Sequence, residues 1–182
     1  MKNITKILLL AAIVASCNTS TTNKNNSMTD KTATPEQEDT VINDTTPKVT
    51  GIGGIFFRSK NPKEIREWYG KNLGLAINDF GSPFEFRNAN RPEEINYLNW
   101  NPFDEGTEYF DPSEKEFMIN YRVQNIEGLV MKLRLNGVTI VDSIEEFEYG
   151  KFVHIMDSEG NKIELWEPID SFFTQMGGAT TK

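Results

Sequence analysis

This sequence predicts an α+β fold made of two copies of one β-α-β-β-β module, and three observations carry that prediction. A pattern of residues recurs 64 positions apart between Gly51 and Pro168. Each copy opens with apolar residues alternating at period two and continues at helical spacing. Glycines and turn formers punctuate both copies at matching places. A supersecondary unit used twice buries its apolar faces through the pairing. The two modules are therefore expected to form an eight-stranded mixed sheet that curls around a cleft, with both helices outside.

The opening strands are Gly54, Ile55, Phe56, Phe57 and Arg58, echoed by Met118, Ile119, Asn120, Tyr121 and Arg122. Strand alternation puts Gly54, Phe56 and Arg58 on one face, and Met118, Asn120 and Arg122 on the equivalent face of the second copy. Asn61 is echoed by Asn125, Ile65 by Leu129 and Asn72 by Asn136. After one residue drops out, Gly74 matches Gly137, Ile77 matches Ile140, and Asp79 matches Asp142. Asn61 suits an N-cap with Pro62 in the first helical position. Ile65, Trp68, Tyr69 and Leu73 then recur at helical spacing, as do Ile126, Leu129, Val130, Leu133 and Leu135 after Asn125. Gly74 and Gly137 are the expected helix stops. Further strands are predicted over 75–80, 84–87 and 95–100, then over 138–141, 152–156 and 162–167. The last two flank Asp157-Ser158-Glu159-Gly160-Asn161, a run of turn formers.

Residues outside this pattern read differently. Ile7 to Val14 is an apolar run of eight, too short to span a bilayer, which needs roughly 20. Val14-Ala15-Ser16-Cys17 resembles the lipobox of bacterial lipoproteins. That resemblance implies a signal peptide over 1–16, lipidation of Cys17, and a place on the extracytoplasmic side of a bacterial membrane, either outer membrane or periplasmic face. An ordinary secretory signal is the alternative. Cys17 is the only cysteine, so no intrachain disulfide can form. Residues 17–48 are polar and read as a tether, 49–170 as the folded domain. Residues 171–182 are expected to fray, with Phe172 and Phe173 docking first. A net charge of −8 argues against nucleic acid as a partner.

Gly51-Ile52-Gly53-Gly54, the helix ending Trp68-Tyr69-Gly70-Lys71-Asn72-Leu73-Gly74-Leu75, and Asp157 through Trp166 together resemble the vicinal-oxygen-chelate superfamily. Glyoxalase I, bleomycin-resistance proteins and extradiol dioxygenases belong to it. The resemblance covers the whole folded part and implies a metal site at Gly54, Met118, Glu164 and, with Trp100 as counterpart of Trp166, Leu98. Only Glu164 offers a hard donor there; a thioether prefers soft metals, and a catalytic zinc needs three protein ligands. No metal or other cofactor is therefore expected. A divalent ion held by relocated ligands at His154 and Glu164 is the disfavoured variant.

Phe56, Arg58, Met118, Asn120, Arg122 and Trp166 are the candidate ligand-binding residues of the cleft. The two arginines present planar forks suited to carboxylate or phosphate, or else pair with acids such as Glu164 or Glu85. His154, the sole histidine, is expected beside Glu164 as a general acid/base pair, or as a structural residue. The aromatic stretch over 96–117 reads as a lid, an edge cover or a homodimer contact. The leading expectation is a membrane-anchored protein binding a small molecule, with an anion as one option, in a metal-free cleft. The alternative is an enzyme of lyase, isomerase or dioxygenase type using His154 and Glu164. A third reading leaves the cleft vestigial and the domain part of a surface complex.

Overall fold

Residues 44–89 and 91–182 are described by the computed structural model; the lipobox, Cys17 and most of the tether lie outside them. Strand β1 (Lys48–Ser59) leads through helix α1 (Pro62–Leu73) to β2 (Ser82–Arg87) and β3 (Ile95–Asp104). A single 3-10 turn, Glu108–Phe110, lies in the link to β4 (Phe117–Gln124). Helix α2 (Ile126–Leu135) follows, then β5 (Thr139–Ile140), β6 (Glu145–Phe147), β7 (Gly150–Met156), β8 (Lys162–Pro168) and helix α3 (Asp170–Met176). The strands form one eight-stranded mixed sheet in the order β2-β3-β1-β4-β8-β7-β5, with β6 paired to β7. β1 runs parallel to β3 and β4 parallel to β8; the other pairs are antiparallel. This is the α+β class that the sequence predicts.

Local chemistry explains the repeat. Asn61 accepts from the Glu64 amide at 3.2 Å with Pro62 behind it, and Asn125 accepts from the Gly128 amide at 3.0 Å. Each cap satisfies an amide that the first helical turn leaves without a partner. Gly74 closes α1 at φ 74°, where a side chain would be strained.

One predicted strand is absent. Residues 75–80 do not pair, and two interactions explain why. The Asn78 side chain accepts from the amides of Phe80 and Gly81, both at 2.9 Å, which folds the segment into a turn. The free edge of β2 is meanwhile taken by the C-terminal tail. Thr181 donates to the Pro83 carbonyl at 2.9 Å and accepts from the Glu85 amide at 3.0 Å, while its hydroxyl accepts from the Ala76 amide. The expectation of a frayed tail is corrected accordingly. The first module is β-α-β-β, and β6 restores the count of eight strands.

The two faces of the sheet differ in what covers them. On one, α2 packs Ile126, Leu129 and Val130 against Val123, Val153, Ile155 and Leu165. On the same face α1 brings Tyr69 to 4.4 Å from Trp100, which leans on Phe57. The opposite face is concave: a Cβ at Gly53 on β1 would lie 2.7 Å from the Trp166 ring, which rises from β8 two strands away. Helix α3 lies on this inner face, where Phe173 meets Tyr97 and Trp166.

Candidate functional site

Sheet register builds the site. Asn120 on β4 stands opposite Glu164 on β8, which stands opposite His154 on β7. The three side chains form one row across the concave face, and all are buried. Arg122, Trp166 and Phe152 form the next row. The predicted alternation puts Phe56, Met118, Asn120 and Arg122 on this face, and His154 lies beside Glu164 as expected.

Glu164 is 2% exposed and surrounded by donors. Asn120 Nδ2 donates to its Oε1 at 2.5 Å, and His154 Nε2 lies 3.0 Å from its Oε2. The Tyr109 hydroxyl donates to the same Oε2. His154 is held from behind by Asp142, which follows β5. One carboxylate oxygen of Asp142 accepts from the His154 amide at 2.8 Å, and the other lies 2.7 Å from Nδ1. Burial works against a charge on this imidazole, but the hydrogen bonds to Asp142 and Glu164 outweigh it and push its pKa up to about 9. At neutral pH the ring is an imidazolium between two carboxylates. Burial would likewise raise Asp142, yet its hydrogen bonds from His154 hold it below the usual carboxylate range. The Tyr109 phenol is pushed well above its ordinary value by burial and by the nearby Glu164 charge.

Tyr109 comes from the aromatic link between β3 and β4. Its ring stacks on Phe103 at 5.2 Å and meets the His154 ring edge-on at 5.5 Å. Lys162 Nζ sits 5.4 Å from the ring centroid and donates to the Tyr109 carbonyl at 2.7 Å. Beside it Phe56, Phe110 and Met118 form a small apolar cluster with Phe103. Sequence reasoning included Tyr109 in an aromatic insertion and Asp142 only as a repeat match. Neither was placed at His154 or Glu164, because both reach the site from loops.

The two arginines do not meet at a shared site. Arg58 donates to the carbonyls of Glu105, Thr107 and Ser113 at 2.7, 3.3 and 3.4 Å and lies 5.1 Å above the Phe110 ring. It pins the β3–β4 link to the sheet. Arg122 pairs with Asp170 at the start of α3, donates to the Tyr97 carbonyl at 3.1 Å, and lies over Trp166. Two cavities lie at the margins. One of about 580 Å³ is lined by Arg91, Arg122, Gln124, Glu167, Asp170 and Thr174 among others. The other, about 600 Å³, lies around Arg58, Glu105, Asp111, Ser113 and Glu116. Neither lining includes His154 or Glu164.

The residues at the positions that the superfamily resemblance assigns to a metal do not fit one. Gly54 and Leu98 have no donor atom, and Met118 is buried among Phe56 and Phe110. Glu164 already faces three hydrogen-bond donors, a surrounding suited to a carboxylate without a cation. Among the described residues, no group of three or more His, Cys, Asp or Glu side chains could hold a metal ion. No helix among them is long and apolar enough to cross a membrane.

No family model matches this chain, and no curated protein matches it. Among solved structures, a methylmalonyl-CoA epimerase from Mycobacterium tuberculosis is 24% identical with a TM-score of 0.45, covering 70% of this chain and 93% of its own. A glyoxalase/bleomycin resistance protein/dioxygenase superfamily member from Vibrio splendidus 12B01 is 13% identical with a TM-score of 0.41, covering 67% and 99%. The structure of an NAD-dependent benzaldehyde dehydrogenase from Legionella pneumophila is 13% identical with a TM-score of 0.43, covering 63% and 97%. All three scores fall below 0.5, so nothing about ligand or reaction is taken from them.

Proposed function

We propose that this domain binds a small polar molecule on its concave face, at the row formed by Asn120, Glu164 and His154, without a metal. One observation carries the reading. Three strands that bury ordinary apolar residues on one face bury an amide, a carboxylate and an imidazolium on the other. Desolvating charged groups costs several kcal/mol per ion, and a hydrophobic replacement is often no less stable. Such a row is better explained by what it recognises than by what it stabilises.

The arginines bear on the ligand's charge. An anion would have to compete with Asp170 for Arg122 and with three carbonyls for Arg58, whereas a neutral hydroxyl need only replace the Tyr109 hydroxyl at Glu164. A neutral ligand therefore has more support than the anion suggested by the paired arginines. The lipobox resemblance supports a position on the extracytoplasmic side of a bacterial membrane, outer membrane or periplasmic face, with the chain anchored through Cys17. Release of the chain into the soluble fraction by Cys17→Ser is the expected result.

The binding reading is tested by thermal-shift screening of small neutral and anionic compounds. Compounds that stabilise the wild type should lose their effect in both Glu164→Gln and His154→Phe. Stabilisation that survives both substitutions contradicts the reading. The Asp142–His154 contact favours a second possibility, an enzyme in which the imidazolium donates a proton to bound substrate. Turnover abolished by His154→Phe and reduced by Asp142→Asn, with unchanged ligand affinity, would select it over simple binding.

A further inference from the structure

We infer that Tyr109 is a side-chain gate occupying the ligand's own place, and that the ligand is a neutral aromatic hydroxyl compound. The inference rests on the concave face being a ligand site and names the chemistry that the site takes. Tyr109 supplies the template. Its ring has a stacking platform in Phe103, a cation over its face in Lys162, and the edge of His154 beside it. Its hydroxyl ends on Glu164, next to the donors Asn120 and His154. Both the ring and the hydroxyl of a phenol thus find protein partners, while part of the ring stays open to solvent.

The same residue is suited to leave. Tyr109 is 38% exposed although its hydroxyl reaches the buried carboxylate, so rotation about its side-chain bonds carries the ring into solvent. The backbone need not follow. Arg58 holds three carbonyls of this segment, Lys162 holds a fourth, Ser113 donates to the Gly160 carbonyl at 2.7 Å, and Phe110 is 1% exposed. A fixed frame with one removable ring leaves a slot of one aromatic hydroxyl. An incoming phenol restores the hydrogen bond to Glu164 that departure of Tyr109 breaks, which a purely apolar ring cannot do.

Binding of p-cresol, the isolated tyrosine side chain, tests this in the full-length chain by amide NMR titration. The wild type should show saturable shifts at Asn120, Glu164 and His154. Tyr109→Ala should bind about tenfold tighter, as expected where the open gate is populated about a tenth of the time. Tyr109→Phe, which keeps the ring and serves if the alanine variant fails to fold, should also bind tighter than the wild type. Toluene should bind the wild type at least about tenfold more weakly than p-cresol. Shifts in Tyr109→Ala with none in the wild type would show only a hole left by truncation, and would overturn the inference. Equal binding of toluene and p-cresol would do the same. Acetate or N-methylacetamide shifting these residues where p-cresol does not would sink the phenol assignment and leave the concave site standing. No shift from any of the four compounds would sink both.

Discussion

The two faces of β4, β7 and β8 are buried alike and built of opposite chemistry. Val153 on the outer face is 1% exposed and Glu164 on the inner face 2%. The outer face joins Val123, Ile155 and Leu165 to α2, where burial of apolar area drives folding. The inner face spends equal burial on Asn120, His154, Glu164 and Arg122. Here stability depends on pairing donors with acceptors, and an unmatched atom such as Asn120 Oδ1 costs what burial would otherwise gain. The difference separates the face that holds the fold from the face that gives it a task.

Substitutions on each face sharpen that contrast. Ile126→Ala removes a side chain with no exposure from the outer core, and should lower the unfolding free energy in urea by about 2–5 kcal/mol. A change of pH should act most strongly on the inner face, where the shifted histidine is buried. His154 titrates at about 9 when folded against an ordinary value of 6.5, so folding is favoured by the bound proton. The stabilisation, on the order of 3 kcal/mol, is fully present below pH 6.5 and is lost as pH rises through 9. Urea unfolding of the wild type should show that decline against a flatter profile for His154→Phe. Glu164→Gln turns an amide NH2 donor towards donors already in place and should cost about 1–3 kcal/mol. It should also lower the His154 pKa, which a histidine-detected NMR titration would record. Lys151→Ala breaks the 2.6 Å pair with Glu127 at the solvent margin of the outer face, where Glu127 is 56% exposed. At most about 1 kcal/mol should be lost there, and a larger loss would blur the distinction between faces.

Much of this architecture was legible from residue spacing. The repeat and its asparagine positions follow from local chemistry, and the period of two assigned Phe56, Met118, Asn120 and Arg122 to one face. Contacts made across long sequence separations were not legible. Thr181 lies 98 residues from Pro83, whose carbonyl it bonds, and no local pattern announces that a tail will displace a strand. Asp142 and Tyr109 reach His154 and Glu164 from loops, whose path depends on packing and not on alternation. Arg58 faced inward as the alternation requires, but its partners were carbonyls, which every residue carries and no sequence pattern marks. The lesson is specific: periodicity gave the floor of the site, and its walls came from segments without a period.

The direct measurement is the unfolding free energy of a chain carrying Asn120→Leu, His154→Phe and Glu164→Leu together, beside its response to the compounds that stabilise the wild type. If the inner row exists for recognition, the triple variant should equal or exceed the wild type in stability at pH 7 while losing every ligand response. A fall as large as that of Ile126→Ala, with ligand responses intact, would show that the row is structural and that recognition happens elsewhere.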